Sequence, residues 1–117
     1  MGIVSRNIGL AAFAAGLVLS SGAALAADAV KGKADFMKYG CWQCHGTQGQ
    51  GSPVSGPKLA PGPLPLEAMS AFIRNSRRAM PPYKEDVLPA ADLADIHAYL
   101  STIPAATDFR TIDLLKE

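Results

Sequence analysis

The sequence predicts an all-α domain, and three observations carry that prediction. Apolar residues recur at three- and four-residue steps in three separate stretches. The nine prolines fall between those stretches or at their ends. No segment makes a convincing strand, and no internal repeat is present.

Residues 1–26 are set apart from the fold. They hold 17 of the 57 hydrophobic residues but a single charged side chain, Arg6. A basic start, a nonpolar run of 12 residues from Ile8 to Leu19, and Ala24-Leu25-Ala26 before Asp28 have the three-part form of an export signal cleaved after Ala26. The chain is therefore expected to be exported. The run is shorter than the ~20 apolar residues of a spanning helix. The uncharged stretch from Asn7 to Ala27 is nevertheless long enough for the alternative, an uncleaved membrane anchor.

The remaining 91 residues carry ten basic and ten acidic side chains, for a formal charge of zero. That balance excludes a nucleic-acid binder, which needs excess positive charge to displace counterions from phosphates. Intrinsic disorder is excluded as well, because low hydrophobicity with high net charge is missing. Cys41 and Cys44 are the two cysteines, three residues apart. A bridge between them would close a tiny loop and remove little chain entropy, so the pair points to chemistry rather than to a structural staple.

The first helix is expected over Ala29 to Tyr39, with Val30, Phe36 and Met37 at helical spacing and Gly40 placed for a left-handed cap. Gly46 to Pro65 holds five glycines and five prolines in twenty residues, too broken for helix or strand, and left alone it would be a floppy linker. A second helix is expected to begin with Pro65 at its first position and to reach Arg78, with Leu66, Met69, Phe72 and Ile73 on one face. A third runs from near Pro89 to Ile103 with Leu93, Ile96, Leu100 and Ile103 in step, and Pro104 ends it. Three short helices and a Gly/Pro loop make a poor core, and domains this small often need a metal, disulfides or a cofactor.

Cys41-Trp42-Gln43-Cys44-His45 is a C-x-x-C-H pattern, the attachment motif of c-type haem. Two thiols at this spacing reach the two vinyl groups on one side of a porphyrin and form thioethers, and the next residue, His45, lies under the iron as a ligand. Two other chemistries use similar residues. A thioredoxin-like dithiol requires a βαβ context, whereas here a helix precedes and a Gly/Pro loop follows. A zinc site would have to use Cys41, Cys44, His45 and distant His97, and adjacent Cys44 and His45 suit a tetrahedron badly.

The order of four pieces carries a resemblance: Gly32 with Phe36, the C-W-Q-C-H block, Gly56-Pro57-Lys58-Leu59, and Met80-Pro81-Pro82-Tyr83 followed by Leu93-Ala94-Asp95-Ile96-His97-Ala98-Tyr99-Leu100. From about Val30 to Ile103 the chain resembles the small monohaem class I cytochromes c of bacterial periplasms. The resemblance implies about three main helices packed around one covalently bound haem c per chain, with a domain over 27–104 and an extension over 105–117. It implies Met80 as the axial iron ligand opposite His45, Pro57 as the carbonyl that fixes the His45 ring, and Leu59 against the porphyrin. It also places Gly32 and Phe36 where the first helix crosses the last, beside Tyr99. A four-helix cytochrome is excluded, since its haem motif lies near the chain's end.

Met37 and Met69 sit among apolar residues at helical spacing and are expected to pack rather than ligate. His97 is expected at the surface rather than on the iron. Tyr83, Arg74, Arg77 and Arg78 are candidates to meet the haem propionates, with none assigned. With His45 and Met80 both on the iron no position is left for a substrate, so the resemblance implies a single-electron carrier cycling Fe(II)/Fe(III) and not an enzyme. The alternatives are the electron-transfer subunit of a periplasmic dehydrogenase complex and a haem enzyme or gas sensor, the last of which needs a vacant iron position. Expected partners are redox proteins, a dehydrogenase or a terminal oxidase. The stretch Lys58 to Lys84 carries +4 and the stretch from Glu85 onward −5, which predicts an acidic docking surface on the partner facing the Met80 side. Phe109, Ile112 and Leu115, at steps of three, predict a short helix or apolar strap that folds back on the domain, with docking to a partner subunit as the alternative.

Overall fold

Four helices shape the chain over residues 26–115, those that the computed structural model describes: α1 (Ala29–Lys38), α2 (Trp42–His45), α3 (Leu66–Asn75) and α4 (Ala90–Thr102). Two 3-10 turns follow, at Phe109–Thr111 and Asp113–Leu115. The only pairing of strand type among the described residues is one isolated bridge between Ser52 and Gly56, so the fold is all-α, as expected. The export-signal reading falls on residues that, apart from Ala26, lie outside those described. No described helix is long and apolar enough to cross a membrane.

Asp28 starts α1 by accepting from the amides of Val30 and Lys31. Gly40, at φ +77°, turns the chain after Tyr39 has capped the helix. The buried face of α1 differs from the one expected: Gly32, Asp35 and Phe36 are buried, while Val30 is 83% exposed and Met37 39%. The crossing with α4 explains the difference. A Cβ on Gly32 would lie 1.8 Å from the carbonyl oxygen of Asp95, so the two backbones touch there, and Val30 and Met37 lie off the seam. Next to this contact the rings of Phe36 and Tyr99 meet at 5.8 Å and 58°, the crossing that the resemblance implied.

The same seam is clamped by charge. The Lys31 ammonium lies 2.6 Å from Asp35, 2.6 Å from Asp92 and 3.0 Å from Asp95, and the Tyr39 hydroxyl donates to Asp92. Hydrogen bonds to Asp35, Asp92 and Asp95 raise the Lys31 pKa. Lys31 and Tyr39 hold the Asp92 carboxyl below its ordinary value, and the Asp28 amide followed by Lys31 does the same for Asp95. Depressed carboxyl pKa values mean stabilisation that is present above the ordinary carboxylate range and lost as pH falls through the lowered values. Lys31→Met leaves the three carboxylates facing one another, so it should lower the melting temperature by several degrees at neutral pH. The deficit should shrink below about pH 4, as protonation removes the repulsion. Thermal melts of both proteins across pH check this, and a deficit of equal size at every pH would contradict it.

Helix α3 begins one residue after the expected start, with Pro65 as its cap, and ends at Asn75 rather than Arg78. Asn75 Nδ2 donates to the carbonyl of Ala71 and Ser76 turns to extended geometry, which stops the helix before Pro81-Pro82 can. Met69 and Ile73 are buried, whereas Phe72, expected on the same face, is 58% exposed. In α4 the expected Leu93, Ile96 and Leu100 are buried together with Tyr99. These residues join Phe36, Leu88, Ala60, Met69 and Ile73 in a single core.

Residues 104–115 are all exposed, with Leu114 at 95%, so the expected strap does not fold back on the domain. Steps of three do bring 3-10 turns. Two single turns separated by Ile112, however, make no continuous apolar face to bury against the helices.

Candidate haem-attachment site

The one-turn helix α2 was not legible in the sequence, yet it builds the site. After Gly40 turns the chain, the His45 amide donates to the Cys41 carbonyl at 3.1 Å and the Gly46 amide to Trp42 at 2.9 Å. That single turn sets Cys41 and Cys44, three residues apart, on one side of the helix. Both are free thiols, Cys41 half-buried and Cys44 exposed, while the His45 imidazole is buried.

The Gly/Pro segment is fastened onto this turn rather than floppy. The Gly51 amide donates to the His45 carbonyl at 2.7 Å, and the Leu59 and Ala60 amides both donate to Gly49. Ser55 Oγ donates to the Cys44 carbonyl at 2.7 Å. A Cβ on Gly56 would lie 2.9 Å from that same carbonyl oxygen and 3.2 Å from His45 Cε1, so the loop backbone rests directly on the motif. The closure brings the Pro57 carbonyl oxygen to 2.7 Å from His45 Nδ1. A carbonyl only accepts, so Nδ1 carries the proton, and the neutral ring keeps its lone pair on Nε2 for a metal. Leu59 is half-buried and packs against the core.

Met80 lies on the segment between α3 and α4, half-buried against the core, with its carbonyl accepting from Ser76 Oγ at 2.7 Å. Tyr83 donates its hydroxyl to the Tyr39 carbonyl at 3.0 Å, beside the cysteine turn. Burial, with the neighbouring Cys41 and Cys44 thiols, pushes its pKa up. The segment that carries Met80 is thereby tied to the start of the motif. Arg74 donates Nη1 to the Tyr83 carbonyl, while its Nη2 is buried with no partner among the described residues. Arg77 and Arg78 are exposed, as are Lys58 and Lys84. The methionines divide: Met69 is buried in the core, and Met37, expected to pack, is largely at the surface. His97 is partly exposed on α4, and its Nε2 lies 3.0 Å from the Leu64 carbonyl.

The other chemistries open to these cysteines find no support. Burial pushes the Cys41 thiol up to about 11, the reverse of the lowered pKa that activates a dithiol nucleophile. The one cluster of three or more metal-binding side chains among the described residues is Asp35, Asp92 and Asp95, so Cys41, Cys44, His45 and His97 do not converge as a zinc site would require. The residues fit a covalently held haem: two thiols share one side of a turn, and the next residue is an imidazole with Nδ1 engaged and Nε2 free. The buried Arg74 Nη2 adds a cationic donor for an anionic group from outside the chain.

Sequence reasoning did not single out Ser76, Tyr39 or Lys31. A polar residue directly after a periodic stretch was the available signal for Ser76; nothing local marks the other two. The family described as cytochrome c oxidase, cbb3-type, subunit III matches residues 27–100. No curated protein and no solved structure matches the chain.

Proposed function

Because the chain belongs to the cytochrome c oxidase, cbb3-type, subunit III family, we propose that it is a periplasmic single-electron carrier with one haem c, attached at Cys41 and Cys44 and ligated by His45 and Met80. Membership makes it a small c-type cytochrome with covalently bound haem and electron-transfer chemistry. The observation that carries the finer reading is the engaged Nδ1 of His45, 2.7 Å from the Pro57 carbonyl, directly after two cysteines on one helical turn.

When bound, haem supplies a one-electron Fe(II)/Fe(III) couple. The chain does the rest. Pro57 holds the His45 ring and raises its basicity. Leu59 and the core around it would shield a bound haem from water, which disfavours the more highly charged oxidised site. Met80 would supply the iron with a soft thioether, which favours the reduced state. Iron held by both His45 and Met80 would have no place left for a substrate, in keeping with a carrier and not an enzyme.

The family brings redox partners such as a terminal oxidase into range. Exposed Arg77, Arg78, Lys58 and Lys84 favour a partner with an acidic docking surface, while Lys31 masks part of the acidic stretch of α4. A second reading, a subunit fixed to a periplasmic dehydrogenase complex, draws on the exposed Phe109, Leu114 and Leu115 of the extension. Stopped-flow mixing of the reduced protein with a terminal-oxidase acceptor tests the proposal. One electron per chain should leave in a phase that slows several-fold as salt rises and slows again in Arg77→Glu/Arg78→Glu. No electron transfer to any such acceptor would sink the carrier reading, and rates indifferent to salt and charge reversal would sink the acidic docking surface.

A further inference from the structure

The segment that bears Met80 is closed on itself by the end of α3. Ser76, the residue that caps that helix, is buried at 8% exposure, and its Oγ donates to the carbonyl of Met80 itself at 2.7 Å. Five residues are thus drawn into a ring whose crown, Arg77, Arg78 and Ala79, is exposed. Beyond Met80, the Tyr83 amide donates to the Ile73 carbonyl at 3.0 Å and Arg74 Nη1 to the Tyr83 carbonyl at 2.8 Å. One of the carbonyls that a helix end leaves unpaired is satisfied in this way by the far end of the loop.

We propose that the Ser76 hydroxyl is a positioning residue for Met80, a latch that holds the thioether in place and sets how easily another ligand displaces it. The inference rests on the reading of Met80 as an iron ligand. Its physical basis is preorganisation: a loop closed at its neck has fewer conformations to lose when its methionine engages, so ligation costs less entropy. With the hydroxyl removed, the Met80 carbonyl loses a buried partner and the ring opens. Arg74 is the less informative probe, because its Nη2 is buried without a partner among the described residues and substitution there changes more than the loop.

Imidazole binding to the ferric holoprotein, followed by absorbance, measures the competition with Met80 directly. Ser76→Ala should bind imidazole on the order of fivefold more tightly than wild type, the effect of one ordinary buried hydrogen bond. Ser76→Thr, which keeps the hydroxyl, should restore wild-type affinity. In a Met80→Ala background the Ser76→Ala effect should vanish, because the latch acts through Met80 alone. A fivefold change that persists in that background would show general loosening and overturn the latch. Met80→Ala tightening imidazole while Ser76→Ala does nothing would overturn the latch and leave Met80 as ligand. If Met80→Ala itself leaves imidazole affinity unchanged, the ligand reading fails, and the latch fails with it.

Discussion

Cys41→Ala together with Cys44→Ala should abolish covalent haem attachment. Acid-acetone extraction of the wild-type protein should leave the colour with the polypeptide, and the double variant should lose all of it to the organic phase. The reason lies at α2, a single turn capped by Cys41 that carries Cys44 and His45 and so puts both cysteines on one side. The loss should reach beyond colour. Among the described residues nine hydrophobic side chains are buried in the core, few for a domain built on three longer helices, so an apolar group bound against it should be a large share of what folding gains. The double variant should therefore also melt at a markedly lower temperature, read by circular dichroism. Colour extracted from the wild type, or a zinc-loaded chain instead, would contradict the attachment.

Met80→Ala should remove the far-red sulfur-to-iron band of the ferric protein and let carbon monoxide bind the ferrous form. The reduction potential should fall on the order of a tenth of a volt or more, a fraction of the roughly 0.8 V over which axial ligation tunes haem. Met80 is half-buried on a segment tied at Ser76 and Tyr83, whereas Met69 is enclosed in the core and His97 faces Leu64. Met69→Ala and His97→Ala should accordingly leave the band in place. A band that survives Met80→Ala, or that disappears with either of the other two, assigns the ligand elsewhere.

The legible part of the fold is the part with a short period. Leu93, Ile96 and Leu100 recur one helical turn apart, and all three are buried on α4. Gly40 takes the left-handed conformation that its place after a helical stretch called for. The same counting misled on α1 and α3. It selected Val30, Met37 and Phe72 for being apolar, while the α1–α4 seam is made by Gly32 in backbone contact and by Asp35 beneath Lys31. Hydrophobic periodicity has no way to register either contact, one made by an absent side chain and the other by a lysine that joins Asp35 on its own helix to Asp92 and Asp95 on α4.

By itself the sequence determined the helical class, the three longer helices, the family with its covalently bound haem, and the C-x-x-C-H motif on which the attachment at Cys41, Cys44 and His45 is proposed. All of these rest on residues within one or two turns of each other, or on motifs whose spacing is the chemistry. Only the tertiary structure decided that the Gly/Pro segment is fastened onto the motif through Gly51 and Ser55, around the Pro57–His45 contact that the resemblance implied, and that Ser76 closes the loop of Met80. It also decided the charge map. Asp92 and Asp95, counted with the acidic end of the chain, share a lysine 61 residues away from Asp92 in sequence, and the extension stays exposed. Hydrogen bonds and ion pairs act over a few ångströms in space, and which groups come that close is set by how α1 and α4 cross, a relation that no run of neighbouring residues encodes.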